Sequence, residues 1–365
     1  MLNTRQIVLC IIATIVLTLP AQAEPPVLNP GQISNLHLIG KVWGYLKYHH
    51  PTITSGCLNW DEQLIREIPS MLDATDREQI VSVLETWVDD LEKPIDCAES
   101  SPSEQHLGPR TEWLTDKELL GTKLVDHFRN FEVTESAGGQ YYVAQRSGVG
   151  NPIFRNESSY SDVDDFDWRY RLLALYRFWN IVEYWFPYRD LIDEDWDEVL
   201  ADSITRFYSA KSQHDYLLEL ARLVARINDG HANVHESIYV RPPGGRKLPP
   251  FAIRMVEGMP FIWRKYDIAD PDAALPDIAA KDQLLFGDII VKVNGEPIEE
   301  LFATARPYIG ASNTVSENRV IAQFLLHGES DSVSLQIERD GRVIDVTTRR
   351  LQGLIGYKCA ALARS

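Results

Sequence analysis

The sequence predicts a multidomain chain in which an α-helical N-terminal region with an internal repeat precedes an α+β domain. Three observations support this fold class. Apolar residues recur at steps of three and four through the first two thirds of the chain, two segments there align without a gap, and strand-like runs around Asn-Gly and Asp-Gly turns follow. The 365 residues are enough for two or three domains.

Residues 1–23 are predicted to form a signal peptide. Arg5 supplies a positive start, residues 7–19 form an apolar run that is short for a membrane span, and "AQA" places small residues before the expected cleavage after Ala23. We therefore expect export to the periplasm or cell envelope, with no stable membrane anchor after signal removal. An uncleaved anchor is the alternative.

Charge and cysteine content limit the partners. The chain has 36 Lys and Arg against 53 Asp and Glu, for a net charge of -17. This acidic balance argues against a nucleic-acid partner, which needs clustered basic residues. An oxidising compartment favours a disulfide between Cys57 and Cys97 and leaves Cys359 over. The cysteine spacing does not match a metal site, so we predict neither metal nor cofactor.

The repeat consists of "LHLIGKVWGYLKYHHP" (36–51) and "LLALYRFWNIVEYWFP" (172–187). Trp43 aligns with Trp179, Tyr48 with Tyr184, and the same offset superimposes two "WDE" segments, at 60–62 and 196–198. Each unit is predicted to contain a helix, a corner ended by proline, a second helix and a third. The first unit and an irregular connection occupy residues 24–165, and the second unit occupies 166–240.

Two features of the repeat allow alternative interpretations. The aromatic run "RFWNIVEYWFPY" is compatible with a carbohydrate platform or with a helix–helix core, and the helical spacing favours the core. His49 and His50 suggest a metal site, but they align with Trp185 and Phe186. Packing is therefore the favoured interpretation.

The second unit ends in Asp-Gly-His, which is the candidate site. We expect its third helix to end at Asn228-Asp229-Gly230, with Gly230 in the left-handed position, and the following residues to be strand-like. His231 would then lie at a helix-to-strand switch, where Asp229 would orient its ring. Residue 95, the aligned position in the first unit, is isoleucine. His231 is either a general base or a polar residue at a helix end.

Residues 247–350 are predicted to form the α+β domain. Two strands flank Glu257-Gly258, and "GDIIVKVNGEPI" enters a tight turn at Asn294-Gly295. A short helix and a second helix follow, the latter with Ser316 as its N-cap and Gly328 at its C-terminal stop. A hairpin about Asp340-Gly341 closes the domain.

The run "GDIIVKVNGEPI" and this order of elements resemble a PDZ domain of the circularly permuted bacterial kind. The whole chain resembles the N-terminal and PDZ portion of the tail-specific, or C-terminal-processing, serine peptidase family, in its tricorn-like and retinoid-binding-protein-like branch. The segments that carry the resemblance are "GKVWGYLKYHHP", "RLLALYRFWNIVEYWFPY", "DWDEVL", "RINDGHANV" and "YIGASN". The resemblance implies that a PDZ domain captures protein or peptide C-termini.

The resemblance further implies that His231 is the general base, oriented by Asp229, for a serine in an α/β core. That serine is assisted by lysine in one branch of the family and by histidine in another. Residues 351–365 are expected to be a truncated start of the core, so the nucleophile would be absent and the chain inactive alone. The alternatives are a non-catalytic periplasmic peptide-binding adaptor and a docking surface for another envelope protein.

Overall fold

The computed structural model of the chain describes residues 26–92, 110–132, 141–148, 151–163, 167–234, 237–265 and 283–352. These ranges contain one hydrophobic core in a helical N-terminal region and another in an antiparallel sheet region that follows it. The predicted fold class is therefore confirmed at the level of a helical region followed by a sheet region. The predicted signal peptide, Cys97, Cys359 and the tail after Gln352 lie outside the described residues.

The first helical unit contains a one-turn helix, α2 (Pro51–Thr54), and three longer helices: α1 (Pro30–His49), α3 (Trp60–Asp73) and α4 (Arg77–Asp89). Each longer helix begins after a residue whose side-chain oxygen accepts a first-turn N–H, namely Asn29, Asn59 and Asp76. In the described ranges no helix is long and apolar enough to cross a membrane.

The second helical unit repeats this arrangement with α6 (Trp168–Trp185), α7 (Trp196–Ser209) and α8 (Gln213–Ala225). The alignment that pairs Trp60 with Trp196 also pairs the first and last residues of α3 with those of α7, and those of α4 with those of α8. The connection between the units contributes α5 (Lys117–Glu132) and a two-stranded sheet of β1 (Val143–Gln145) and β2 (Pro152–Phe154).

A reciprocal pair of tryptophans ties the first helix to the second long helix in each unit. The Trp43 Nε1–H donates to the Trp60 carbonyl at 3.1 Å, and the Trp60 Nε1–H donates back to the Trp43 carbonyl at 2.9 Å. Trp179 and Trp196 exchange the same two bonds, at 2.6 and 3.1 Å. A buried indole N–H needs an acceptor, so each pair satisfies its own donors while it fills the core.

The two units pack through α1 and α6 at residues that align with each other. A Cβ added at Gly40 would lie 2.4 Å from the ring of Tyr176, and one added at Gly44 would lie 1.9 Å from the side chain of Asn180. Equivalent residues face each other only close to a two-fold axis. The helical region is therefore built around an internal pseudo-two-fold axis.

Equivalent ion pairs also cross between the units. The Lys41 Nζ lies 2.7 Å from the Asp197 carboxylate, and at the aligned positions Arg177 forms an ion pair with Asp61. The aligned aromatic rings of Tyr48 and Tyr184 meet edge to face, with centroids 5.9 Å apart. These contacts show the same pseudo-two-fold pairing of aligned residues away from the crossing of α1 and α6.

The sheet region contains a six-stranded antiparallel sheet in the order β4-β5-β6-β8-β9, with β7 paired to β6. Its strands are β4 (Phe251–Val256), β5 (Met259–Lys265), β6 (Ile289–Val293), β7 (Glu296–Pro297), β8 (Ser332–Arg339) and β9 (Arg342–Arg349). A separate pair joins β3 (Lys247–Leu248) to β10 (Leu351–Gln352), and two helices cover the sheet, α9 (Ile298–Ala305) and α10 (Thr314–Phe324).

The three tight turns of this sheet are confirmed. Both residues of each turn have positive φ, which matches a two-residue turn whose twist fits the flanking strands. They are Glu257-Gly258, Asn294-Gly295 and Asp340-Gly341.

The predicted ends of α10 are wrong. The helix begins at Thr314, because Asn313 is the N-cap and its side chain accepts the Ser316 N–H at 2.9 Å. The helix ends at Phe324, so Gly328 does not stop it. Gly328 instead pairs with Lys247 beside β3, where an added Cβ would lie 2.4 Å from the Arg350 guanidinium.

Candidate functional site

The helix that leads to the candidate site ends earlier than predicted. The last residue of α8 is Ala225, and the left-handed residue is Asn228, with φ of 55°, rather than Gly230. Asparagine tolerates this conformation because its short side chain makes local hydrogen bonds. The Asn228 amide donates to the Asp193 carboxylate at 2.9 Å, which holds the turn against the end of the preceding corner.

The predicted strand after His231 is also wrong for the residues that the structure describes there. The chain forms a 3₁₀ turn at Ser237–Tyr239, and residues 235 and 236 lie outside the described ranges. The Ser237 hydroxyl donates to the Val234 carbonyl at 2.7 Å, and the Arg241 N–H donates to the Ser237 carbonyl at 2.9 Å. These local bonds satisfy the backbone that a strand would have paired with a neighbour.

One carboxylate oxygen of Asp229 contacts both the backbone and the ring of His231. The backbone N–H of His231 donates to Asp229 Oδ1 at 2.8 Å, and the ring Nδ1 lies 3.3 Å from the same oxygen. The imidazole is fully exposed. A carboxylate at Nδ1 favours the tautomer with the proton on that nitrogen, which leaves the Nε2 lone pair available as a base.

His231 and Asp229 line a cleft of about 750 Å³ between the helical and sheet regions. The helical wall includes the exposed apolar side chains of Tyr188 and Leu191. The opposite wall is polar and consists of the residues around the start of α10, Ala311 to Thr314 and Glu317. The cleft is therefore large enough for several residues of an extended peptide.

Two contacts fix the cleft walls relative to each other. An added Cβ at Gly310 would lie 2.9 Å from the Asp229 carbonyl oxygen, so the backbone of the sheet region lies directly against the His231 loop. The Arg222 guanidinium donates to the Tyr308 hydroxyl at 2.8 Å and lies 4.8 Å from the centre of that ring. Both contacts join the helical region to the sheet region, and both would be lost if the two walls of the cleft moved apart.

His231 activates none of the described hydroxyls that line the cleft as a nucleophile. Ser312 and Thr314 share the cleft with His231, but no serine or threonine hydroxyl among the described residues hydrogen-bonds to its ring. A base and its nucleophile must come within hydrogen-bond reach for catalysis. His231 therefore has its orienting partner in place, and no described hydroxyl is in reach of the ring.

The remaining candidate residues, Cys57, His49 and His50, take part in the packing of the helical region. Cys57 is disulfide-bonded, whereas Cys97, its expected partner, lies outside the described residues. Burial lowers the pKa of His49 to about 4 and that of His50 to about 3, so both rings pack as neutral aromatic groups. Among the described residues no group of three or more His, Cys, Asp or Glu side chains is arranged to hold a metal ion.

Sequence reasoning did not single out Glu183, a buried carboxylate of α6. Burial raises its pKa to about 7, with Arg189 as the main opposing influence. The available signal was a charge reversal in the repeat, because Glu183 aligns with Lys47 of the first unit.

No protein-family model matches this chain, and no curated protein matches it.

Proposed function

We propose that the chain is the N-terminal and PDZ-like portion of an exported serine-type peptidase of the tail-specific family, and that His231 is its general base. The observation that carries this proposal is the exposed His231 ring, held at Nδ1 by Asp229 in a cleft of about 750 Å³. This is the geometry of a base with its orienting carboxylate.

In this proposal Nε2 of His231 takes the proton of a serine hydroxyl as that oxygen attacks the substrate carbonyl. Asp229 then stabilises the imidazolium, since its carboxylate lies 3.3 Å from Nδ1. The proton next passes from Nε2 to the leaving amine. The family resemblance assigns the serine to an α/β core.

In this proposal the edge of the sheet region captures the substrate. β4 is the end strand of the six-stranded sheet, paired on one side with β5, and α10 packs beside it. An extended peptide can add to such an edge, with its side chains in the groove between strand and helix. We propose that protein or peptide C-termini bind there before cleavage.

The test is a peptidase assay on this chain joined to a core of the family, with peptides that have free C-termini as substrates. His231→Ala should lower kcat about 10²- to 10⁴-fold, the usual contribution of a general base. His214→Ala is the matched control, because His214 is an exposed histidine on α8 outside the cleft. Full activity of the His231→Ala enzyme would show that the base is misassigned.

The second candidate is a peptide-binding adaptor without chemistry. It is favoured by the finding that no hydroxyl in the described ranges hydrogen-bonds to His231, whereas the β4 edge and α10 are complete. Titration of the chain with peptides carrying a free or an amidated C-terminus separates the two. Binding of the free form that persists in His231→Ala, without cleavage by the core-joined chain, would favour the adaptor. Failure of all free C-termini to bind would contradict C-terminus capture in both proposals.

A further inference from the structure

A second, smaller pocket lies in the helical region, away from the His231 cleft. Its volume is about 200 Å³, and the rings of Trp113, Trp179 and Tyr184 form its apolar walls. The charged side chains that line it are Lys41, Arg110, Glu112, Glu183 and Asp197. A cavity of this size admits a few non-hydrogen atoms rather than a folded segment.

Glu183 is the buried carboxylate at this pocket, and it lacks hydrogen-bond donors among the described residues. The residue is 5% exposed, and neither carboxylate oxygen accepts a hydrogen bond from any described residue. Its one ion-pair partner in the described ranges is Arg189, whose Nη1 lies 3.6 Å from Oε1. That Nη1 already donates to the backbone carbonyl of Glu183 at 2.6 Å. Buried carboxylates are normally bonded, so this one is incomplete without another donor.

The cations around the pocket are engaged with other carboxylates. Lys41 lies 2.7 Å from Asp197, and Arg110 lies 2.7 Å from Asp190. Arg189 also contacts Asp190, at 3.3 Å. No described cation beside the pocket is therefore left to supply the donor that Glu183 lacks, whereas a molecule that enters the pocket can supply it.

The first unit shows what fills the aligned position. Lys47, which aligns with Glu183, is fully buried, and its ammonium lies 4.7 Å from the ring centre of Trp43 and 4.4 Å from that of Tyr142. The same ammonium donates to Glu157 at 2.9 Å and to Asp61 at 3.4 Å. Aromatic faces and carboxylates together form a favourable site for an ammonium.

The second unit keeps two of the four groups that surround this ammonium, an aromatic ring and a carboxylate, but has no lysine at the aligned position. Trp179 aligns with Trp43 and Asp197 with Asp61, and both line the pocket. The lysine is replaced by Glu183, so its charge is reversed and its place is open. The space that the Lys47 side chain occupies in the first unit thus corresponds to a cavity in the second unit.

We propose that this pocket binds a primary ammonium group of an external ligand, with Glu183 as the acceptor and Trp179 as the aromatic wall, since the ring of Trp113 already faces the ammonium of Lys41 at 5.0 Å. The ammonium belongs to a free small amine, to a peptide N-terminus or to a lysine side chain, which share this chemistry. The volume of about 200 Å³ limits the inserted part to the ammonium and a short carbon chain. The proposal does not depend on the peptidase assignment.

Isothermal titration calorimetry of the whole chain with propylammonium chloride tests this site, with 1-propanol as the neutral probe of the same length. We expect saturable binding of propylammonium and not of propanol. Glu183→Gln should weaken binding about tenfold or more, because a charge-assisted hydrogen bond becomes a neutral one. Glu183→Lys should abolish it by placing an internal ammonium in the pocket.

The matched control is Glu219→Gln, which should bind as the native chain does. Glu219 is a carboxylate of α8 that pairs with Arg222 outside this pocket, and burial raises its pKa as well. A peptide with a free N-terminus and its N-acetylated form test whether the ammonium is a peptide N-terminus. Nα-acetyl-lysine amide, which keeps a free ε-ammonium, tests whether it is a lysine side chain. Absence of binding by every ammonium probe, equal binding of propanol, or unchanged affinity in a folded Glu183→Gln variant would overturn the proposal.

Discussion

The first helical unit buries an ammonium at the position where the second buries a carboxylate. In both units the second and third long helices have matching boundaries and the same reciprocal tryptophan pair is present, so this reversal occurs on one backbone framework. In the first unit Lys47 is enclosed by its own partners, Asp61 and Glu157. In the second unit Glu183 faces a pocket. The comparison teaches that the shared framework supplies stability, whereas the substituted position decides whether the unit has room for a ligand.

The largest expected effect comes from removal of the enclosed ammonium. Lys47→Met should lower the free energy of unfolding by up to about 3–5 kcal/mol, because the buried Asp61 and the partly buried Glu157 would keep Arg177 as their only cationic partner among the described residues. Lys41→Met is the matched control in the pair with the half-exposed Asp197, and it should cost about 1 kcal/mol or less. Urea unfolding measures both values. Equal losses would show that the enclosure of Lys47 has no energetic consequence.

The next largest loss of stability is expected where α1 and α6 pack against each other. Gly44→Ala should destabilise the chain by about 1–3 kcal/mol, because the new methyl would lie 1.9 Å from Asn180 and force α1 and α6 apart. At Gly230 an added Cβ has nothing within 4 Å, so Gly230→Ala should be nearly neutral. Thermal unfolding of both variants gives the difference. A neutral Gly44→Ala would mean that the units do not cross as described.

A smaller effect links Glu183 to pH. Its pKa in the folded chain is raised from 4.5 to about 7, so the folded state binds more protons than the unfolded state between these values. Stability should therefore fall by about 2 kcal/mol as pH rises through this window, relative to Glu183→Gln. Urea unfolding of both chains across the window measures the difference. Parallel pH profiles would show that Glu183 is ionised in the folded chain throughout.

The smallest stability effect is expected at the candidate base. His231→Ala should change the free energy of unfolding by less than about 0.5 kcal/mol, because the ring is fully exposed and its one hydrogen-bonding partner among the described residues is Asp229. Urea unfolding checks this value beside the activity assay. A large destabilisation would mean that lost activity in this variant reports folding rather than chemistry.

The sequence predicted the regular parts of this fold well, because helix and hairpin signals are local. The repeat alignment places the helices of both units, and the three turn dipeptides lie at positive φ as expected. Each signal depends on residues that are neighbours along the chain or one helical turn apart. Their conformations are therefore set mainly by short-range sterics and burial.

The loop around His231 was harder to predict, because its conformation depends on distant partners. Asn228 competes with Gly230 for the left-handed position, and its bond to Asp193 decides the outcome. The β-favouring residues after His231 form a turn, since the structure describes no strand that pairs with them. The Glu183 pocket likewise joins side chains from α1, the inter-unit connection, α6 and α7.

The crossing of α1 and α6 also bears on how two such units can associate. Two identical units around a true two-fold axis would place the same residue on both sides of the axis. At the position of Gly40 and Tyr176, two tyrosines would collide, and two glycines would leave a cavity. Fusion in one chain lets one copy supply the knob, Tyr176 and Asn180, and the other the socket, Gly40 and Gly44. Each half therefore recognises the other better than it recognises itself, which favours folding within one chain over exchange of halves between chains.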